Sequence, residues 1–145
     1  MLLFLAVIGV VVLAMPATAA KTGDSTTVSA PGGYQVTFVK TLPGGIQPMI
    51  MNSISQGQYQ WAGKLVNYYT ESVQFDLYWG NPTNSLRLRI FTPDGYVLGP
   101  YYDASDGAIN GNIYAIVSRS GGVAQGTWYS EVYGDRVSGS QSYSI

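Results

Sequence analysis

Side chains that could drive covalent catalysis are scarce in this chain of 145 residues, which contains no histidine and no cysteine. Nucleophilic catalysis needs an activated serine, threonine or cysteine beside a base. Ser-His-Asp and Cys-His mechanisms are therefore excluded, and no Ser-x-x-Lys motif occurs. A carboxylate pair for glycoside cleavage would have to come from Glu71, Asp76, Glu131 and Asp135. The alternative is that these side chains occupy wet strand faces and loops, and we predict that the protein is not an enzyme.

One loop has the residue types of a calcium site. It reads Asp103-Ala-Ser-Asp106-Gly107, with Asn110 and Asn112 nearby. Oxygen ligands on a loop suit Ca²⁺, which makes Asp103 and Asp106 calcium candidates. The spacing departs from the D-x-[DN]-x-[DN]-G pattern, and no glutamate closes the loop. The alternative is that these residues serve turns, and we expect no other metal or cofactor.

Tyrosine is the residue type best placed to bind a ligand, since the chain contains 12 of them. Tyrosine rings stack on sugars or anchor protein interfaces at low entropic cost. The ligand or interface candidates are Tyr101, Tyr102, Tyr129 and Tyr133. The alternative is that they cover the sheet or pair across strands. The three tryptophans fall in phase with apolar neighbours and are predicted to lie in the core: Trp61, Trp79 and Trp128.

Short strands must position these side chains. Leu86–Ile90 and Gly126–Gly134 alternate apolar and polar residues, which is typical of strands with one buried face. Pro93-Asp-Gly95 predicts a tight turn, because proline fixes φ and glycine accepts a positive φ. Strands at this spacing predict an all-β antiparallel sandwich. The remaining predictions are a strand over Tyr34–Lys40, a loose segment over 21–33, a turn over 42–45 and an irregular or edge segment over 46–54.

The first residues indicate export. An apolar run over 1–14 precedes Pro16 and Ala17-Thr-Ala19, as in a cleavable signal peptide over 1–20. The alternative is a retained hydrophobic anchor. With 7 basic and 8 acidic residues the chain has no basic stripe, so nucleic-acid binding is excluded. We expect a secreted, extracellular or cell-surface protein that meets the membrane through its signal peptide during export.

The stretch from Gln56 to Ile145 resembles the bacterial and archaeal pre-peptidase C-terminal module. The matching pieces are Gly57-Gln58, Asn84–Ile90 leading to Pro93-Asp-Gly95, Gly126-Thr-Trp128, Val132-Tyr-Gly134 and Gly139–Ile145. The resemblance implies a jelly-roll-like sandwich with a non-catalytic accessory role. Where that family has an acidic Asp-Leu-Asp-Leu strand, this chain has Ser85-Leu-Arg-Leu88. The resemblance divides the chain into three parts, which are a signal peptide (1–20), a leader with one extra strand (21–55) and the module (56–145).

The expected function is that of a secreted, non-catalytic structural or adhesive component. Its partners would be copies of itself, joined through sheet edges, or the cell envelope, because unpaired edges and a weakly charged surface favour assembly. The alternative is a monomeric accessory module that binds a carbohydrate, such as an envelope polysaccharide, or an extracellular protein.

Overall fold

The computed structural model describes residues 20–22, 24–40 and 51–145. Within these ranges the chain forms two antiparallel β-sheets and two short 3-10 turns, with no α-helix. The strands are β1 (Ala20–Thr22), β2 (Ser25–Ser29), β3 (Tyr34–Val39), β4 (Met51–Ser55), β5 (Tyr59–Val66), β6 (Ser72–Tyr78), β7 (Ser85–Phe91), β8 (Val97–Tyr101), β9 (Asn112–Arg119), β10 (Gly126–Arg136) and β11 (Ser140–Ser144). The larger sheet has the order β1-β2-β3-β9-β6-β11-β4, and the smaller has the order β5-β10-β7-β8. The predicted all-β antiparallel sandwich is confirmed.

The strands β4 to β11 are wound like one long hairpin rolled into two layers. At the tip β7 pairs with β8, and β6 then pairs with β9, β5 with β10 and β4 with β11. Successive pairs alternate between the two sheets. The resulting orders, β4-β11-β6-β9 and β5-β10-β7-β8, are those of a jelly roll.

Three N-terminal strands extend the larger sheet beyond β9. The strand predicted over Tyr34–Lys40 is present as β3, which pairs with β9 of the same chain. Tyr34, Val36 and Phe38 are buried in the core, so β3 completes its own sandwich. The prediction of a loose segment over 21–33 was wrong, because β1 and β2 lie there. Its β-branched residues favour strands, and the small polar residues among them hid that preference.

The core lies between the two sheets and follows the period of the strands. Even-numbered residues of β7 and β10 point inward, among them Leu88, Ile90 and Trp128, which are fully buried. Burying each such side chain contributes about 1.5–3 kcal/mol. The Trp128 indole nitrogen donates a hydrogen bond to the Ala124 carbonyl at 2.9 Å, so its one polar group is satisfied. Odd-numbered residues of the same strands consequently face outward.

The tip of the long hairpin is tied to the N-terminal strand. Gly95 has φ +91°, as the predicted Pro93-Asp-Gly95 turn requires. Asp94 accepts hydrogen bonds from the Tyr34 hydroxyl at 3.0 Å and from Arg119 at 2.6 Å. The Arg119 guanidinium also lies 4.4 Å from the Tyr34 ring centroid. Three elements distant in sequence therefore meet at one polar cluster.

Several sequence predictions lie outside the described residues. These are the signal peptide, apart from Ala20, and the turn over 42–45. The segment over 46–54 is described from residue 51, where it forms β4 at the edge of the larger sheet. In the part of the chain described here, no helix is long and apolar enough to cross a membrane.

Candidate functional site

The outer surface of the smaller sheet carries a concentration of aromatic rings. Odd-numbered residues of β5, β7 and β10 point to this surface, because their even-numbered neighbours point into the core. We call these rings the aromatic face: Tyr59, Trp61, Phe91, Tyr129 and Tyr133. The prediction that Trp61 lies in the core was wrong, since the residue is 55% exposed. Trp79 and Trp128 are buried as predicted.

Strand register arranges the face in cross-strand rows. On β10, Tyr133 lies between Tyr59 of β5 and Arg87 of β7. Two residues earlier along β10, Glu131 lies between Trp61 and Arg89. Side chains directly opposite in antiparallel strands are close enough to touch, so each row brings aromatic and charged groups together.

Four of the five rings pack in two pairs, and the face still presents open surface. Tyr59 and Tyr133 have centroids 4.6 Å apart, and Trp61 reaches across β10 to Phe91 at 5.0 Å. These separations are those of interacting aromatic pairs. Tyr59 and Tyr129 are nevertheless 55% and 48% exposed. The rings therefore form a supported platform on which a flat apolar ligand surface can lie.

A charged cluster, made of Arg87, Arg89 and Glu131, sits within this platform. Glu131 is 6% exposed although it points outward. Its Oε1 lies 3.5 Å from an Arg87 nitrogen and 3.7 Å from an Arg89 nitrogen. The Arg87 guanidinium is stacked on Tyr133, 4.3 Å from the ring centroid, and its Nε has no hydrogen-bond partner. One Glu131 oxygen thus pairs with two guanidinium groups. The Arg87 Nε–H donor remains without a partner among the described residues.

The structure places the four predicted tyrosines in different environments. Tyr129 and Tyr133 belong to the aromatic face, and Tyr102 is exposed and close enough to Arg87 to interact with its guanidinium. Tyr101 ends β8, is buried and packs against Phe38 at 4.9 Å. Burial raises the Tyr101 pKa to about 12, and a hydrogen bond with Gly99 opposes this effect. Tyr101 is therefore a core residue without an accessible ring.

The carboxylates considered for glycoside cleavage are dispersed. Glu131 is held by the two arginines on the smaller sheet, whereas Asp76 lies on β6 of the larger sheet. Burial raises the Asp76 pKa, and a hydrogen bond from Asn112 opposes this effect. Asp135 is exposed at the end of β10 near Ser85, and Glu71 is exposed just before β6.

The loop proposed for calcium is organised around a buried aspartate. The Asp103 carboxylate accepts hydrogen bonds from the backbone N–H groups of Asn110, Gly111 and Asn112. Asp106 is also buried, and its Oδ1 accepts a hydrogen bond from Ala108 N–H at 2.7 Å. Among the described residues, no group of three or more histidine, cysteine or acidic side chains is placed to hold a metal ion. In this structure the Asp103 oxygens stabilise the loop itself.

Sequence reasoning missed most of the site. Tyr59, Trp61 and Phe91 are not among the ligand residues that the sequence predicts, and neither are Arg87 and Arg89. Strand alternation could have identified them, because every residue of the aromatic face and of the charged cluster has an odd number on β5, β7 or β10. Odd-numbered residues of these strands share the outer surface of the sheet.

Comparison with known proteins gives no match to a family model, to a curated protein or to a solved structure.

Proposed function

We propose that this protein is an exported, non-catalytic binding module whose aromatic face holds a polysaccharide. The observation that supports the proposal most is the open platform of Tyr59, Trp61 and Tyr129 on one sheet surface. Sugar rings present apolar C–H faces that stack on aromatic rings. Their hydroxyls need hydrogen-bond partners, and the charged cluster offers both donors and an acceptor within the same surface.

The spacing of the rings also suits a chain of sugars. Tyr59 and Trp61 are two residues apart on β5, which corresponds to about 6.6 Å along a strand. This distance is comparable to the width of one sugar unit. A repeating polymer can therefore place successive rings on successive side chains of the strand.

The charged cluster argues against a second copy of this chain as the occupant of the face. Two faces packed together would bury four arginines against two glutamates, since each face carries Arg87, Arg89 and Glu131. Desolvating charges without full pairing costs several kcal/mol per ion. A hydroxyl-rich ligand keeps these groups hydrogen-bonded and partly hydrated.

The proposal is tested by affinity electrophoresis of wild-type protein through gels that contain neutral or acidic polysaccharides. Trp61→Ala and Tyr129→Ala are each expected to weaken retention about tenfold, because stacking on one aromatic ring is worth about 1.4 kcal/mol. Tyr68→Ala is the matched control, since Tyr68 is an exposed tyrosine outside the face. Retention unchanged by Trp61→Ala, or the absence of retention in every gel, would contradict the proposal.

A second candidate function is the structural one, in which copies join through a sheet edge. The observation that favours it is β5, an edge strand that pairs only with β10 among the described strands. It has eight residues, and exposed apolar edges of this length invite pairing with another chain. Its one charged side chain, Lys64, is bound to the Gln74 carbonyl at 2.8 Å.

Sedimentation velocity across a hundredfold concentration range distinguishes the two candidates. Edge pairing predicts species larger than a monomer that disappear when Leu65, which is exposed on β5, is replaced by proline. A monomer at all concentrations would remove the structural candidate and leave the polysaccharide proposal intact.

A further inference from the structure

We infer that the polysaccharide held by the aromatic face is acidic, and that Arg89 binds its carboxylate groups. This inference rests on the proposed function and names the class of ligand. It follows from the charge, exposure and hydrogen bonding of the side chains that surround the rings.

The face carries an excess of positive charge. Two arginines of the charged cluster share one carboxylate, Glu131. At the end of β10, Asp135 and Arg136 follow one another and offset each other in charge. The face therefore has a local charge of +1, although the whole chain has a net charge of −1. Positive potential in a weakly charged protein attracts anionic ligands to this surface.

Of the two arginines in the charged cluster, Arg89 has the more accessible hydrogen-bond donors. Its side chain is 37% exposed, compared with 13% for Arg87. Its closest approach to Glu131, at 3.7 Å, is longer than a hydrogen bond. A guanidinium presents five N–H donors in a planar fork that matches a carboxylate. The donors that Glu131 leaves unused are therefore available to a second carboxylate, one that belongs to the ligand.

Arg87 and Glu131 act as positioning residues in this arrangement. Arg87 is stacked on Tyr133 and mostly covered, so it is suited to orienting Glu131 rather than to meeting the ligand. Glu131 in turn lies between Arg89 on β7 and Trp61 on β5 in one cross-strand row. Neighbouring strands are about 4.8 Å apart, so a sugar chain that stacks on Trp61 and extends across β10 would reach Arg89.

The matched probes are polygalacturonate and its fully methyl-esterified form, which have the same backbone and differ in charge. We expect isothermal titration to give at least tenfold tighter binding of the acid than of the ester, with affinity for the acid falling as NaCl is raised. Arg89→Gln is expected to remove the preference by lowering the affinity for the acid to about the affinity for the ester. Arg89→Lys, which keeps the charge and loses the fork, is expected to restore part of the preference.

The possible outcomes separate the two levels of the proposal. Equal binding of acid and ester, or binding of neutral polysaccharides with none of the acid, would overturn the acidic class and leave the proposed function standing. No binding of any polysaccharide would overturn both. Poly-L-glutamate is the carboxylate polymer without sugar rings. If it bound as tightly as polygalacturonate, and equally to the Trp61→Ala protein, the face would be a site for acidic peptides instead.

Discussion

At the scale of single residues, Glu131 has the most demanding environment on the aromatic face. Its carboxylate points outward and yet is covered by the side chains around it, with two arginines as its charge partners. Removing one member of a covered ion cluster leaves the other charges without a partner. This destabilises the fold more than replacing the whole cluster with apolar side chains would.

We therefore predict that Glu131→Gln lowers the free energy of unfolding by about 1–3 kcal/mol. The measurement is urea denaturation at pH 7. Glu71→Gln is the control, because Glu71 is exposed and such substitutions usually change stability by less than about 0.5 kcal/mol. Equal stability of the two variants would show that the cluster does not stabilise the fold.

Replacing Asp106 is expected to raise the free energy of unfolding, whereas replacing Glu131 is expected to lower it. Burial raises its pKa, with Asp103 adding to the rise and the Ala108 N–H group and Lys40 opposing it. Its Oδ2 is buried without a hydrogen-bond partner. A carboxyl whose pKa is raised on folding contributes stability that is present below its unfolded pKa and is lost as the pH rises through the folded pKa.

Asp106→Asn is accordingly expected to match the wild type near pH 3.5 and to be more stable by about 1 kcal/mol at pH 7, where the wild type must hold a buried charge. Thermal unfolding across this pH range is the measurement. A variant less stable than the wild type at pH 7 would mean that the ionised carboxylate has a favourable role in the loop.

Individual residues were the part of the molecule least predictable from sequence. The outward direction of Tyr129 and Tyr133 follows from strand alternation, and the structure agrees. Trp61 was misplaced, because a large apolar side chain is normally buried and the evenly mixed sequence of β5 gives little sign of which face is wet. Tyr101 was misplaced because β8 extends into a stretch that the sequence presents as a loop.

At the scale of elements, the alternating strands and the turn at Pro93-Asp-Gly95 were predictable because both are local. The nested pairing of β4 to β11 was not, since it depends on contacts between residues far apart in sequence. Polar strands near the edge of a sheet are also hard to predict, as β2 illustrates. It lies between β1 and β3 and has no fully buried side chain, so its sequence carries little hydrophobic signal.

The cluster at the hairpin tip predicts an acid-sensitive element. Burial alone would raise the Asp94 pKa, but hydrogen bonds from Thr92, Arg119 and Tyr34 outweigh it, and the pKa is lowered. A carboxylate with a lowered pKa contributes stability above its unfolded pKa that is lost as the pH falls through the folded pKa.

Asp94→Asn is thus expected to be less stable than the wild type at pH 7 by about 0.5–1 kcal/mol, because solvent screens an exposed ion pair. The difference should shrink as the pH falls below about 4, where the unfolded carboxyl takes up a proton. Asp24→Asn serves as the exposed control. A difference that is constant with pH in thermal unfolding would exclude an electrostatic origin.

The β4 edge is blocked by glutamines of the same chain. Gln60 donates to the Ser53 carbonyl at 2.8 Å, and the Gln58 side-chain oxygen accepts the Ser55 N–H at 2.8 Å. The turn between β4 and β5 fits closely on β10, where the Ser55 carbonyl oxygen leaves no room for a side-chain carbon at Gly134. Backbone groups that another chain could pair with are thereby occupied.

Replacing both Gln58 and Gln60 with alanine should free these groups, and we expect the variant to sediment as larger species than the wild type at equal concentration. Gln125→Ala is the control, since Gln125 is exposed in the loop before β10. If the double variant sediments like the wild type, the glutamines do not protect the edge.

At the scale of the whole molecule, the sandwich gathers the aromatic face on one sheet surface, where the proposed ligand would bind. Every residue of the aromatic face lies on β5, β7 or β10, and the inward sides of these strands carry core residues such as Leu88, Ile90 and Trp128. Side chains on packed strands are held more accurately than those on loops. The platform is therefore formed before a ligand arrives, which reduces the entropy lost on binding.

Tryptophan fluorescence tests the aromatic face most directly, because Trp61 is exposed whereas Trp79 and Trp128 are buried. Quenching by acrylamide should therefore report mainly on Trp61. We predict that saturating polygalacturonate shifts the emission to shorter wavelength and protects it from acrylamide, and that Trp61→Phe abolishes this response. A polysaccharide that binds, as measured by calorimetry, while leaving Trp61 as accessible to acrylamide as before would contradict the account.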